Sequence, residues 1–201
     1  MQKQKPEIEA IILEKAELEF YQFGFEKASL RRIIKAAGIS IGNFYNYFGS
    51  KSDLFNRIVK DEYVGFSKFL NNHETVENPL EIIQSLNADN IKEIIGGVIR
   101  RIMPEFNRRF VILAEADKAS GYEHARQQIL DSITEHLNEH YTAMNRVQNK
   151  EFTKLIATQF LDGMLSIIKT NIDNKEKRNE LLSDFFQFYF SGVMGLIGYK
   201  F

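Results

Sequence analysis

Apolar residues recur along the chain with the period of amphipathic helices. The first such segment, residues 7–23, carries apolar side chains at helical spacing, namely Ile8, Ile11, Ile12, Ala16, Phe20 and Phe23. Acidic residues stand in its first turns, where the helix dipole favours them. No stretch of useful length alternates between apolar and polar residues, as a half-exposed strand does. The pattern predicts an all-α fold.

Glycines and small polar residues mark where the next helices begin and end. Gly24 is predicted to end the first helix. Ser29 is a favourable N-cap for a second helix over residues 30–37, and Gly38 is placed to end that helix as its C′ residue. Ser40 is predicted to cap a short third helix directly after this turn.

A longer fourth helix is predicted to begin at Ser50 and to reach about Asn71. Ser50 stands three residues before Asp53, which is the spacing of a capping box. A looser polar segment follows. Beyond it the pattern predicts helices near residues 79–86, 90–103, 105–118, 122–147, 151–172 and 176–199.

The short third helix has an unusual outward face. At about 100° per residue, Phe44, Phe48 and Ile41 fall on one side of it, which predicts that all three are buried. The opposite half carries no charge and no strong helix former, and consists of Gly42, Asn43, Tyr45, Asn46 and Tyr47. Such residues do little to stabilise a helix this short. We therefore expect a partner outside the local fold to contact them.

The second and third helices have the form of a helix-turn-helix, because a three-residue turn containing Gly38 joins them. In that motif the second of the two helices enters the major groove of DNA. Asparagine side chains can bond adenine there, and tyrosine hydroxyls can bond phosphates. Arg31 is placed to reach the DNA backbone or a base. Lys51, beside the exposed amides at the start of the fourth helix, is predicted to form a phosphate site.

Positive charge is concentrated in the same part of the chain. Residues 27–60 contain seven cationic side chains and one carboxylate, Asp53, although the net charge of the whole chain is −1. A localised cluster of this kind suits contact with a polyanion. A solvated basic surface is the alternative.

Composition restricts the other classes of protein. The 201 residues include no cysteine, which excludes disulfides and thiolate metal sites. No run of eighteen apolar residues occurs, so no membrane span is predicted. The first ten residues lack the apolar segment of a signal peptide, and we expect a cytoplasmic protein.

The N-terminal quarter of the chain resembles the DNA-binding domain of the TetR (tetracycline-repressor-like) family. The matching residues, in register, are Gly24-Phe25, Ser29-Leu30-Arg31, Ile33, the segment KAAGIS, Gly42, Phe44-Tyr45, Tyr47-Phe48, Ser50-Lys51 and Leu54-Phe55. The resemblance implies a double-stranded DNA operator as partner. It implies DNA contacts at Arg31, Ser40, Ile41, Gly42, Asn43, Tyr45, Asn46, Tyr47 and Lys51. Ile41 stands where the family often has lysine, which predicts that one phosphate contact is missing.

The resemblance also implies two domains, a helix-turn-helix domain over residues 1–52 and a helical effector-binding and dimerisation domain over residues 53–201. The last two predicted helices have more apolar surface than one core face requires. They are predicted to pair two copies of the chain. The candidate interface consists of Phe152, Ile156, Phe160, Met164, Phe186, Tyr189, Phe190, Val193, Met194 and Ile197. A monomeric core is the alternative for these residues.

Residues that could contact a small-molecule effector are harder to find in the sequence. The candidates are Met103, Phe106, Phe110, His136, His140, Met144 and Phe160, and ordinary core packing is the alternative for each. The segment HLNEH fits the H-x-x-E-H pattern of some zinc proteases. No third ligand has a signature of its own, and Glu139 lies on a different side of the helix. We therefore expect no enzyme, no cofactor and no metal site. Ordinary packing is the expected role of the two histidines, and a contact to an effector or a metal is the alternative.

The function predicted from these features is a homodimeric repressor. It would release a palindromic operator when an effector binds its C-terminal domain. The alternative is a helical binding or scaffold protein that does not bind DNA.

Overall fold

Helices are the regular secondary structure throughout the part of the chain that the computed structural model describes, which is residues 5–72, 93, 97, 106–143 and 149–196. No strand occurs within those ranges, and the prediction of an all-α fold is confirmed. The helices are α1 (Lys5–Lys27), α2 (Leu30–Ala37), α3 (Ile41–Phe44), α4 (Lys51–Asn72), α5 (Arg108–Ala114), α6 (Ala125–Ala143), α7 (Lys150–Thr170) and α8 (Lys175–Leu196).

Most of the predicted helices have a counterpart in the described ranges. Those predicted near residues 105–118, 122–147, 151–172 and 176–199 correspond to α5, α6, α7 and α8, and α5 is shorter than predicted. Those predicted near residues 79–86 and 90–103 lie outside the described residues, apart from residues 93 and 97, which are helical.

The chain divides into two compact units. The first consists of Met1–Gly65 and Arg108–Arg126, and the second of Phe66–Asn107 and Gln127–Phe201. The first unit therefore contains α1 to α3, most of α4, and α5. The functional division predicted after residue 52 remains a proposal.

Three phenylalanine rings from α1 and α4 meet in the core of the first unit. Phe55 of α4 lies edge-on to Phe20 of α1 and to Phe25, with ring centroids 5.0 and 5.1 Å apart. All three rings are buried, and burying one such ring contributes roughly 1.5–3 kcal/mol. Arg109 of α5 donates from Nε to the Glu17 carboxylate at 2.8 Å, which ties α5 to α1. The buried side chains of α2 and α3 pack against this core.

Gly24 breaks the regular geometry of α1. Its φ of 69° and ψ of 174° lie where glycine is strongly favoured. The prediction that the first helix ends here is confirmed, although helical hydrogen bonding resumes as far as Lys27. The Glu26 N–H donates to the Asp117 carboxylate at 2.8 Å, which fixes the new direction of the chain.

In the second unit, α7 and α8 pack closely at Gly163. A methyl group at this position would lie 2.4 Å from the Phe185 ring, so only glycine leaves room for that ring. Phe185 is held on its other sides by Phe160, with centroids 5.6 Å apart, and by Tyr189 at 4.8 Å. The glycine thus fixes the packing of these two helices.

Candidate nucleic-acid interface

The turn between α2 and α3 has the capping that the sequence predicts. The Ser29 hydroxyl accepts from the Arg32 N–H at 3.4 Å, and the Ser40 hydroxyl accepts from the Asn43 N–H at 3.1 Å. Gly38 adopts the left-handed conformation, with a φ of 67°, and its N–H donates to the Lys35 carbonyl at 3.1 Å. This geometry is the C-terminal stop that glycine allows. The helix-turn-helix is therefore formed by local signals.

α3 is shorter than the sequence predicts. It ends at Phe44, and a turn follows. In this turn the Asn46 N–H donates to the Asn43 carbonyl at 3.2 Å, and the Tyr47 N–H donates to the Phe44 carbonyl at 2.9 Å. Asparagine and glycine are weak helix formers, which accounts for the early end. Phe44 and Phe48 are buried as predicted.

The predicted outward residues are accessible to different degrees. Gly42 and Asn46 are exposed, and the Tyr45 side chain is 53% exposed. Asn43 and Tyr47 are half-buried, and Tyr47 packs against the core. Ser40 and Arg31 are exposed. None of these side chains is sealed inside the first unit, so each remains a candidate contact.

The prediction that Ile41 is buried is wrong, because its side chain is 56% exposed. The helical wheel assumed a regular helix as far as Phe48. Since α3 ends at Phe44, the inward direction inferred from Phe48 does not apply to Ile41. An isoleucine at the start of α3 therefore faces solvent.

The cations of residues 27–60 have different environments in the structure. Arg32 donates from Nε to the Glu19 carboxylate at 2.8 Å, and its guanidinium lies 4.4 Å from the centroid of the Phe23 ring. Arg57 pairs with Asp61 at 3.5 Å. Both cations thus have partners within the first unit. An exposed ion pair such as Arg57–Asp61 contributes little to stability.

Glu19 positions the beginning of α2, a role that the residue pattern did not indicate. Its carboxylate is buried with the residue only 9% exposed, and it accepts from the Ser29 N–H at 2.7 Å and from Arg32. Charge-assisted hydrogen bonds from an amide and a guanidinium offset the free-energy cost of removing this carboxylate from water. An acid among apolar positions of the first helix, followed by paired arginines, is the sequence signal for this link.

Arg31 and Lys35 are differently placed from Arg32. Both side chains are exposed, and neither side chain makes a hydrogen bond or ion pair with the described residues. They are four residues apart on α2, so they lie on the same side of that helix. Lys35 was not among the predicted contacts, although this spacing from Arg31 could have identified it. Together they form a positive strip beside α3.

Lys51 has a structural role that the sequence did not indicate. Its ammonium donates to the carbonyls of Phe25 at 2.8 Å, Ala28 at 3.2 Å and Glu26 at 3.4 Å. It also lies 4.5 Å from the centroid of the Phe25 ring. The ammonium thus closes the end of α1, and a phosphate contact by Lys51 remains a prediction.

The N-terminus of α4 is capped as predicted. The Ser50 hydroxyl accepts from the Asp53 N–H at 3.0 Å. The Asp53 carboxylate in turn accepts from the Gly49 N–H at 3.0 Å. This reciprocal arrangement fixes the chain between α3 and α4.

The predicted effector residues are described only in part, and a cavity that they would share remains a prediction. Phe106 and Phe110 are buried, and Phe160 is half-buried among other rings. Met103, Met144 and the side chain of His140 lie outside the described residues. A cavity of about 80 Å³ occurs in the first unit, lined by Phe20, Tyr21, Gly24, Phe25, Phe55, Val111, Ile112, Glu115 and Ala116. Its lining includes none of the predicted effector residues.

The predicted dimer residues divide into a buried set and an accessible set. Met164 is 1% exposed and Val193 is also buried, so both side chains pack within the protomer, and their part in an interface remains a prediction. The apolar pattern does not distinguish the side of each helix that packs within the protomer. Ile156, Phe160, Phe186 and Tyr189 are half-buried, and Phe152 is exposed. The side chains of Phe190 and Met194, and Ile197, lie outside the described residues.

The histidine pair is described only in part. His136 lies 4.0 Å from the Glu139 carboxylate, one turn along α6. Among the residues whose side chains are described, no three of the types that bind metals are grouped together. Within the same limits, no helix is long and apolar enough to cross a membrane.

Comparison with known proteins finds similarity in the N-terminal region. A family model described as bacterial regulatory proteins, tetR family, matches residues 12–58. A probable HTH-type transcriptional regulator, YttP of Bacillus subtilis (strain 168), is 37% identical over 59 residues, which are 29% of this chain and 28% of that protein. The chain therefore matches little more than a quarter of the length of that relative.

Solved structures resemble the whole fold. A TetR-like transcriptional regulator from Rhodococcus sp. RHA1 superimposes with a TM-score of 0.55 at 18% identity, covering 98% of this chain and 100% of that one. Salmonella enterica GusR superimposes with a TM-score of 0.53 at 18% identity, covering 97% of each chain. At these identities the likeness shows the fold alone.

Proposed function

We propose that this chain, which belongs to the TetR family through the helix-turn-helix region in its residues 12–58, is a DNA-binding transcriptional regulator. One observation supports this most strongly. The exposed side of α3 carries no charge of its own and lies next in the chain to the positive strip formed by Arg31 and Lys35. An uncharged helix surface can contact base edges in the major groove, while cations beside it contact the phosphates that border the groove.

The proposed contacts follow from the accessibility of each side chain. Asn43 and Asn46 carry amides that can bond base edges, and the Tyr45 hydroxyl is available to a phosphate oxygen. Arg31 and Lys35 neutralise phosphates. Ser40 and Tyr47 contact the DNA backbone, and Lys51 reaches a phosphate only if its ammonium leaves one of its carbonyl partners.

We further propose that the regulator acts as a homodimer on a palindromic operator. Apolar side chains of α7 and α8 remain in solvent in the single chain, among them Leu155 and Phe188, which is 72% exposed. Surface of this kind is typical of an interface between copies. A two-fold pair of recognition elements matches half-sites about 34–36 Å apart.

The effector-responsive step is proposed for the second unit. α4 begins in the first unit and continues past Gly65 into the second, so it is the segment through which a ligand in the second unit would act. A ligand that binds one position of α4 better than another shifts the spacing of the recognition elements. Operator release, and hence repression, is the consequence.

Selection of bound sequences from random DNA tests the proposal. We expect enrichment of one motif with two-fold symmetry, and an affinity that falls steeply with salt. Failure to enrich any sequence, with no binding at low salt, would favour the alternative of a helical binding or scaffold protein. An enriched motif without symmetry would contradict the dimer while leaving DNA binding in place.

A further inference from the structure

Two neighbouring residues at the start of α3, Ile41 and Gly42, are not explained by the packing of the chain itself. Ile41 and Tyr45 are the large apolar side chains of the first unit that are more than half exposed in its described residues. An isoleucine left in water contributes nothing to the core. The fold alone gives no reason for an aliphatic side chain at position 41.

Gly42 is equally unexplained by the fold. It is exposed, and a methyl group added there would meet nothing within 4 Å. Its backbone does not adopt the positive φ that requires glycine, since the glycines that do are Gly24, Gly38 and Gly121. Alanine would favour a helix more than glycine does. The missing side chain therefore suits close approach by a partner.

The chemistry around the two residues restricts that partner. Arg31 and Lys35 of the preceding helix are exposed cations, which favour a polyanion. Ile41 has no hydrogen-bond donor or acceptor in its side chain, so that side chain can contribute only an apolar contact. In the major groove of DNA the apolar feature is the C5-methyl group of thymine.

We infer that Ile41 selects thymine in each operator half-site by packing against its C5-methyl group. Gly42 allows the backbone of α3 to come close enough for that contact. This inference rests on the proposed function, because it requires α3 to lie in the major groove. It replaces the expectation that position 41 merely lacks a phosphate contact: the isoleucine contributes to sequence preference and not to charge neutralisation.

Replacement of thymine by deoxyuridine tests the inference, because it removes the methyl group and keeps the base pairing. A symmetric duplex from the random-DNA selection is prepared with each thymine position of the half-site replaced in turn. Affinities of the wild-type chain, Ile41→Ala and Leu18→Ala are measured by fluorescence anisotropy at one salt concentration. Leu18 is an exposed aliphatic residue of α1, and it serves as the matched control.

We expect one thymine position at which replacement in both half-sites weakens wild-type binding by roughly 15-fold, about fourfold for each methyl group removed from apolar contact. Leu18→Ala should show the same decrease. Ile41→Ala should bind the thymine duplex more weakly and show almost no sensitivity to the replacement. Circular dichroism of the variants checks that each is folded.

Two results would overturn the inference and leave the proposed function standing. In the first, wild-type protein binds every replaced duplex as tightly as the original. In the second, Ile41→Ala keeps the full sensitivity to deoxyuridine, which would assign the methyl contact to another residue. Absence of binding to any duplex by the folded wild-type chain would instead overturn both proposals.

Discussion

Replacing Gly42 with alanine should make the protein slightly more stable and a weaker DNA binder. The added methyl group meets nothing within 4 Å in the free chain, so no steric penalty opposes it. Alanine lowers the conformational entropy of the unfolded state and favours the helical state, which is worth about 0.5–1 kcal/mol. The lower end applies, since α3 is only four residues long.

In the complex the same methyl group would lie between the backbone of α3 and the DNA, which we propose to be in close contact. Inserting a methyl group into a closely packed contact costs about 1–3 kcal/mol. That range corresponds to a decrease in affinity of roughly 5- to 150-fold. The two effects have opposite signs, so an unfolded or aggregated variant cannot imitate the expected result.

Thermal unfolding followed by circular dichroism, together with fluorescence anisotropy on the selected duplex, measures both quantities. A Gly42→Ala variant that binds as tightly as wild type would refute the close approach of α3 to DNA. A variant with a lower melting temperature would refute the open surroundings of Gly42 in the free chain.

Four further substitutions address other parts of the structure. Lys35→Gln should lower the slope of log affinity against log salt by about 0.9 for each phosphate that the lysine neutralises. Arg32→Gln should mainly destabilise the first unit, by about 1–2 kcal/mol, because it removes a charge-assisted bond to a buried carboxylate. Gly163→Ala should destabilise the second unit by about 1–2 kcal/mol, since the clash with the Phe185 ring outweighs the gain in helix propensity. Burial raises the pKa of the Tyr122 phenol above its ordinary value of 10.0, and the neighbouring Tyr63 adds to this shift. The stability of the folded chain should therefore fall as the pH rises beyond that value, and this fall should be smaller in Tyr122→Phe.

Each of these expectations has a contrary result. Equal salt slopes for the Lys35 and Arg32 variants would show that the two cations are not distinguished as the structure suggests. Urea unfolding in which Gly163→Ala gains stability would place the Phe185 ring elsewhere. A loss of stability at high pH that is as large in Tyr122→Phe as in the wild-type chain would contradict the raised pKa of that phenol.

Local signals in the sequence predicted most of the helix-turn-helix. The caps at Ser29, Ser40 and Ser50 and the glycine stop at Gly38 depend on residues within four positions of one another, and all four are confirmed. The burial of Phe44 and Phe48 followed from the same short range. The helical state of the longer segments followed from their apolar period.

Interactions between distant segments were not predictable in this way. The bonds of Lys51 to carbonyls near residue 26 depend on how α1 and α4 pack. The bonds of Glu19 to Ser29 and Arg32 depend on how α1 and α2 pack. The orientation of Ile41 depended on where α3 ends, which a regular wheel cannot show. Apolar side chains such as Met164 look alike in sequence whether they face the protomer's own core or a second copy.

The central claim is that α3 lies in the major groove of DNA, and the absence of cysteine from the sequence allows a direct test of it. A single cysteine is introduced as Asn46→Cys, with Lys169→Cys in the second unit as the control, and each protein is mixed with the selected duplex carrying a thiol tether. We predict a disulfide cross-link for Asn46→Cys when the tether projects from a pyrimidine into the major groove, and none when it projects from guanine N2 into the minor groove. Cross-linking from the minor groove alone, or equal yields for Asn46→Cys and Lys169→Cys, would contradict the account.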